Sequence, residues 1–144
     1  MTVAEWIAQH PGLAVTVPCD WSLEQIVNRM LEEPYLRDLY VIAENRRVVG
    51  HLSHKKLAEL VLAEHRPVHT RRQFMHRVAG GTSREFMDAH FVSAHPDEEL
   101  DNVLHRQLEH DMEDMPVIDD QGQLVGTVNL STVLREFYRD DHEA

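Results

Sequence analysis

The sequence predicts an α+β fold built from one β-α-β-β-α unit that is used twice. Three observations lead to this prediction. Two segments align without a gap at an offset of 76 residues, both show helical and strand periodicity in the same order, and both carry a glycine at the same place. A chain of 144 residues is long enough for two units of this size.

The duplication is clearest around Gly50 and Gly126. The first copy reads YVIAENRRVVGHLSHKKLAEL and the second reads PVIDDQGQLVGTVNLSTVLRE. Upstream, SLEQIVNRMLEE matches EELDNVLHRQLEH at an offset of 77, which implies a one-residue difference in the following loop. The segments that precede the copies, AEWIA and REFMD, also correspond loosely.

The first helix of each copy follows a short leading strand, which we expect over residues 14–17 and 90–93. In the first copy the apolar residues at helical spacing are Leu23, Ile26, Val27, Met30 and Leu31. Ser22 or Asp20 can cap this helix, and the early glutamates Glu24, Glu98 and Glu99 suit the positive end of a helix dipole.

A β-hairpin and a second helix complete each copy. The hairpin strands are predicted over residues 39–42 and 48–52, and again over 115–118 and 124–128. Glu44-Asn45 forms the turn of the first hairpin, whereas Gly122 can take a positive φ in the second. The repeat therefore places one unit with an N-terminal helix in residues 1–66, a linker in 67–82, and the second unit with a C-terminal tail in 83–144.

Composition excludes several classes of protein. A net charge of −11 argues against nucleic-acid binding, although residues 65–84 carry five arginines and no acid. The sequence has no apolar run long enough to span a bilayer, and its N-terminal residues do not resemble a secretory signal peptide, so we expect a cytoplasmic protein. Cys19 is the single cysteine, which excludes an internal disulfide. The sequence also contains no phosphate loop, nucleophile elbow or HExxH pattern, which predicts that it is not an enzyme.

Two patterns suggest metal binding, and neither forms a recognisable ligand set. The second copy crowds acidic residues that offer the oxygen ligands preferred by hard cations, but the plainer interpretation is a solvated acidic face. These residues are Asp111, Glu113, Asp114, Asp119 and Asp120. His65 and His69 are separated by Pro67, and His105 and His110 lie on different helix faces. We therefore predict no metal site.

The run MPVIDDQGQLVGTV and its twin resemble the CBS domain, and the tandem arrangement resembles a CBS pair, or Bateman module. The resemblance covers residues 14–137. It implies two repeats packed with pseudo-twofold symmetry and self-association into a homodimer. It also implies a non-catalytic module that senses AMP, ADP, ATP or S-adenosylmethionine and regulates a partner enzyme or transporter.

The resemblance further implies a ligand site where the second hairpin strand runs into the last helix. The family pattern there is Gly, two apolar residues, Thr or Ser, any two residues, then an Asp for the ribose hydroxyls. Lys56 and Thr132 stand where that Asp is expected, so neither copy keeps the usual ribose acceptor. The candidate ligand-binding residues are Gly50, His51, Leu52, Ser53, Lys55 and Lys56 in the first copy, and Val117, Gly126, Val128, Asn129 and Thr132 in the second.

The first copy is the better candidate for an anionic ligand. Ser53, His54, Lys55 and Lys56 bring a hydroxyl, an imidazole and two ammonium groups to a predicted helix start. The plainer interpretation is that Ser53 is only the helix cap and that the lysines are solvated. Two alternatives to a nucleotide sensor are a dimeric scaffold that has lost its ligand, and a module that senses Mg²⁺ or another cation.

Overall fold

The computed structural model describes residues 1–63 and 81–142, with side chains as far as residue 139. Most of the predicted linker over residues 67–82 lies outside the described residues. The helices are α1 (Val3–Gln9), α2 (Leu23–Leu31), α3 (His54–Ala63), α4 (Ser83–Phe86), α5 (Leu100–Glu109) and α6 (Leu130–His142); the strands are β1 (Thr16–Pro18), β2 (Asp38–Ile42), β3 (Val48–Ser53), β4 (Asp114–Ile118) and β5 (Leu124–Asn129). This content confirms the α+β class.

The chain folds into two compact units, and neither is a continuous segment. One unit comprises residues 15–91, and the other combines residues 1–14 with residues 92–144. The helix that precedes each repeat in the sequence therefore belongs to the unit of the other repeat. The sequence repeats are predicted to end and begin at residues 66 and 83, whereas the compact units have boundaries at residues 14/15 and 91/92.

The unit of residues 15–91 contains a three-stranded sheet in the order β1-β2-β3. Strand β1 is parallel to β2, and β2 is antiparallel to β3, with Leu39 opposite Leu52. Both leucines are fully buried in the core together with Ile26 of α2. Helix α2 begins with the predicted cap: the Ser22 hydroxyl accepts from the Gln25 N–H, and the Gln25 side chain accepts from the Ser22 N–H in return.

The other unit contains the antiparallel pair β4-β5, and its leading strand is reduced to a single bridge. The predicted strand over residues 90–93 is wrong in position and extent, because only Ala94 pairs in parallel with Val117. The ladder cannot continue beyond this point, since the N–H of His95 donates to the Glu98 carboxylate at 2.8 Å and Pro96 has no N–H.

The two hairpins turn at equivalent positions with different residues. Gly122 has a φ of 77°, as its place in the acidic turn predicts. Arg46 occupies the same position in the first hairpin with a φ of 67°, a conformation that costs a residue with a Cβ more than it costs glycine. The first turn therefore carries local backbone strain that the second lacks.

A side chain from the segment that precedes a repeat covers the repeat glycine in each unit. A Cβ on Gly50 would overlap the Met87 side chain, with Met87 Sδ nearest, Cγ at 2.6 Å and Cβ at 2.8 Å. A Cβ on Gly126 would lie 3.1 Å from Ile7 Cδ1. Both repeat glycines are thus explained by the close approach of a segment that precedes a repeat.

Two polar groups hold the start and the inner face of α5. Arg106 pairs with Glu98 at 2.6 Å and 3.0 Å and also donates to the carbonyl of Ser93. The hydrogen bond from Arg106 lowers the pKa of Glu98 below its usual value, against the opposing effect of burial. Gln107 is fully buried, and its Nε2 donates to the carbonyl of Val128 at 3.0 Å.

Candidate functional site

The strand-to-helix junction has the same construction in both repeats. In the first repeat, β3 passes directly into α3, and the Ser53 hydroxyl accepts from the Lys56 N–H at 3.0 Å. In the second, β5 passes into α6, and Asn129 Oδ1 accepts from the Thr132 N–H at the same distance. Ser53 and Asn129 are therefore equivalent helix caps, and the cap predicted for Ser53 is confirmed.

The first junction gathers positive charge at the start of α3. Lys55 is exposed, and Lys56 is half-buried. The backbone N–H of His54 donates to the Arg37 carbonyl at 2.7 Å, which ties the helix start to the beginning of β2. The first turn of α3 contains no acidic residue. Fixed cations and the positive end of the helix dipole therefore favour an anion at this junction.

One face of the sheet beside this junction is polar and aromatic. Asp38 pairs with Ser53 and Tyr40 pairs with His51 across β2 and β3, so all four side chains share the face opposite to Leu39 and Leu52. His51 Nε2 lies 2.6 Å from Asp38 Oδ1, and both side chains are partly exposed. An ionised carboxylate only accepts, so the imidazole is the donor.

Aromatic rings surround this imidazole. The Tyr40 ring centre lies 5.4 Å from that of His51, and the Phe91 ring centre lies 6.4 Å from it. The backbone of His51 exchanges two hydrogen bonds of 2.9 Å with Asp88, which brings the segment before Phe91 against β3. We name the set Asp38, Tyr40, His51, Ser53 and Phe91 the polar sheet face.

The polar side chains on the equivalent face of the second repeat form hydrogen bonds within their own unit. Asn129 Nδ2 donates to Asp114 Oδ1 at 2.8 Å, so that carboxylate supports the helix cap. Thr127, which occupies the position of His51, is buried and donates to the Leu13 carbonyl at 3.1 Å. Thr132 Oγ1 donates to the same Asn129 oxygen that accepts the backbone N–H. The second junction thus has fewer polar atoms to offer a ligand.

The remaining candidate residues from the sequence are buried and contribute to packing. Leu52, Val117 and Val128 are fully buried in the cores of their units, so their side chains support the junctions from beneath. Gly50 and Gly126 are buried under Met87 and Ile7.

Two residues of the acidic stretch of the second repeat, Asp119 and Asp120, make local contacts. Asp119 Oδ1 accepts from the N–H groups of Gln121 and Gln123, and Asp120 lies 2.7 Å from His95 Nε2. Across residues 1–63 and 81–139, no three His, Cys, Asp or Glu side chains are grouped as a metal site would require. None of the helices in the described part of the chain combines the length and apolar character needed to cross a membrane.

The candidate residues from the sequence do not include Asp38, Tyr40 and Phe91, which lie beside the first junction. The similarity between the two hairpins is recognisable in the sequence from Tyr40 onward. Extending the comparison by two residues pairs Asp38 with Asp114, and an acid at the start of both hairpins would have indicated a shared position beside the cap. Phe91 reaches the polar sheet face only through tertiary packing, and no local pattern indicates this.

A duplicated α+β unit with a capped strand-to-helix junction in each copy defines a tandem-repeat module. The CBS domain family model matches residues 14–63 and 84–139, and the chain belongs to this family as a tandem CBS pair. A comparison with curated protein sequences gives no match.

Solved structures of CBS pairs have the same fold. A CBS domain-containing protein from Thermotoga maritima is 27% identical, with a TM-score of 0.72 over 96% of this chain and 95% of that one. CBSX2 from Arabidopsis thaliana is 21% identical, with a TM-score of 0.72 over 99% and 98% of the two chains. The CBS domain pair of protein MJ0100, solved with 5′-methylthioadenosine and S-adenosyl-L-methionine, is 18% identical, with a TM-score of 0.71 over 97% and 98%.

Proposed function

We propose that this CBS pair is a regulatory module that binds an adenine nucleotide or a related anionic metabolite, chiefly at the first junction. The observation that carries the proposal is the combination of Ser53, Lys55 and Lys56 at the start of α3 with the adjacent polar sheet face. Structures similar in fold were solved with AMP, with ATP and with S-adenosyl-L-methionine, which supports this class of ligand.

The module acts without catalysis in this proposal. Ligand binding favours one of its conformations, and a partner enzyme or transporter responds to the change in population. The existence of a partner enzyme or transporter and a cytoplasmic location are predictions from the sequence.

Self-association is part of the proposal. Large apolar side chains are exposed at equivalent positions of the two repeats: Leu31 and Leu108 near the ends of α2 and α5, and Leu62 and Tyr138 on α3 and α6. Apolar surface repeated in this way supports a symmetric homodimer. Sedimentation of the wild type beside a Leu31→Glu, Leu108→Glu variant tests it, because the variant should sediment as a monomer.

A thermal-shift panel of AMP, ADP, ATP, S-adenosylmethionine and Mg²⁺ tests ligand binding. A ligand at about 100 times its Kd adds roughly 2.7 kcal/mol of stability, which corresponds to roughly 5 to 10 °C in the melting temperature. A shift with a nucleotide supports the proposal. A dimer that responds to nothing favours the scaffold, and a saturable shift with Mg²⁺ alone favours a cation sensor.

The first junction can be tested without removing its helix cap. Ser53→Asn should retain the cap, because Asn129 makes the same bond to the N–H three residues later. Together with Lys56→Thr, this change gives the first junction the cap residue and the uncharged residue of the second. The double variant should fold and bind the nucleotide more weakly, whereas unchanged binding would show that neither Ser53 nor Lys56 contacts the ligand.

A further inference from the structure

We propose that Asp38, held in place by His51, accepts the ribose hydroxyls of the ligand at the first junction. The inference rests on the proposed function and narrows the ligand to a ribonucleotide whose 2′-hydroxyl is required. It gives a physical role to a carboxylate that lies outside the strand-to-helix pattern of the family.

The position of Asp38 relative to the anion site is the first argument. Asp38 and Ser53 are direct partners across the antiparallel strands β2 and β3. Side chains in such a pair start about 4.5 to 5.5 Å apart at their Cβ atoms. A nucleotide with its phosphate at Ser53 and the start of α3 would therefore have its sugar within reach of the Asp38 carboxylate.

The chemistry of the acceptor is the second argument. Lys56 stands where an acceptor is expected, and an ammonium group only donates. The Asp38 carboxylate offers roughly four acceptor positions, and the hydrogen bond from His51 uses one of them. Two hydroxyl groups of a cis-diol can be received by the positions that remain.

Partial burial and orientation form the third argument. The side chains of Asp38 and His51 are 21% and 23% exposed, so the pair is shielded from bulk water on several sides and still open to a ligand. The rings of Tyr40 and Phe91 pack near the imidazole and restrict its orientation. The carboxylate is therefore preorganised before any ligand arrives.

The second repeat lacks this arrangement. Asp114 occupies the position of Asp38, but its Oδ1 receives the amide of Asn129. Thr127 replaces the imidazole and is turned to the Leu13 carbonyl. The combination of a charged acceptor, an imidazole donor and a cationic helix start is found in the first repeat, which predicts that ribose recognition is confined to it.

Calorimetric titration of the full chain with AMP, 2′-deoxy-AMP and 3′-deoxy-AMP tests the inference. The wild type should bind AMP at least about tenfold more tightly than either deoxynucleotide, because hydrogen bonds to charged acceptors are the stronger class. Asp38→Asn should weaken AMP binding by roughly 10- to 100-fold and reduce the preference for the ribose form. Asp20→Asn removes an exposed carboxylate from the same unit and should leave the preference intact.

The outcomes separate this inference from the proposed function. If the wild type binds AMP and both deoxynucleotides equally, the nucleotide site stands and the role of Asp38 is refuted. The same conclusion follows if Asp38→Asn folds, as judged by circular dichroism, and keeps the full preference for AMP, because the Asp38–His51 pair would then be only structural. If the wild type binds no nucleotide in the panel, both the site and the inference fail. Equal binding of the three nucleotides by the wild type refutes the role of Asp38 even if the variant does not fold.

Discussion

Replacement of Gly50 by alanine tests whether close packing against Met87 explains this glycine. Gly50 is buried on β3, where it precedes His51 of the polar sheet face, and the Met87 side chain covers it. An added Cβ would overlap the Met87 side chain and would lie only 2.8 Å from Met87 Cβ, which cannot move without the backbone. Overpacking of this kind typically costs about 1 to 3 kcal/mol.

Gly126→Ala is the matched control for Gly50→Ala. Its nearest neighbour would be Ile7 Cδ1 at 3.1 Å, the end of a flexible side chain, so a small adjustment relieves the contact. We expect Gly50→Ala to lower the melting temperature by roughly 2 to 4 °C for each kcal/mol lost, and Gly126→Ala to lower it by clearly less. Thermal denaturation followed by circular dichroism measures both.

A second change at Met87 completes the experiment. Met87→Ala removes the atoms that Gly50→Ala would overlap, so the double variant should be less destabilised than the sum of the single variants. Additive losses, or equal losses at Gly50 and Gly126, would refute the packing explanation of the repeat glycine.

Three further predictions concern stability. Arg46→Gly should raise the free energy of unfolding by about 0.5 to 1 kcal/mol in urea denaturation, because it relieves the left-handed φ at the first turn; a loss of stability would contradict this. The hydrogen bond from Arg106 lowers the pKa of Glu98 in the folded protein relative to the unfolded chain. The ionised carboxylate therefore stabilises the fold above the pKa of the unfolded state, and this contribution is lost as the pH falls through the pKa of the folded state. The stability difference between wild type and Glu98→Gln should therefore shrink in melts below about pH 4.5, and a difference that grows there would be inconsistent with the ion pair. Gln107→Met, which introduces the residue found at the equivalent position 30 of the first repeat, should change the free energy of unfolding by less than about 1 kcal/mol. The hydrogen bond to Val128 is lost, but so is a buried amide oxygen that has no partner among the described residues. Gln107→Ala leaves a cavity and should cost about 2 to 4 kcal/mol.

Local patterns in the sequence predicted the hairpins and the caps. Ser22 caps α2 and Ser53 caps α3 because their hydroxyls reach the N–H three residues on, a contact that depends on a few adjacent residues. Gly122 takes the positive φ that its turn requires. The duplicated run around the repeat glycines was sufficient to identify the CBS pair.

Tertiary contacts account for what the sequence did not predict. Ile7 lies before the first repeat in the sequence but covers Gly126 of the second repeat, and Met87 lies before the second repeat but covers Gly50 of the first. The order of residues in the chain does not indicate this crossed arrangement. The leading strand of the second repeat is limited to one bridge because the N–H of His95 donates to the Glu98 carboxylate instead of to a neighbouring strand. Strand propensity does not indicate this side-chain hydrogen bond. Asp38 is not among the sequence candidates because only the strand register shows that it lies opposite Ser53.

The most direct test of the nucleotide site is an AMP titration, by calorimetry, of the wild type and two junction variants. One variant carries Ser53→Asn with Lys56→Thr, and the other carries Asn129→Ser with Thr132→Ala in the second repeat. We expect saturable binding to the wild type, at least about tenfold weaker binding to the first variant, and little change in the second. Absence of binding across AMP, ADP, ATP and S-adenosylmethionine, or loss of binding only in the second variant, would contradict a nucleotide site at the first junction.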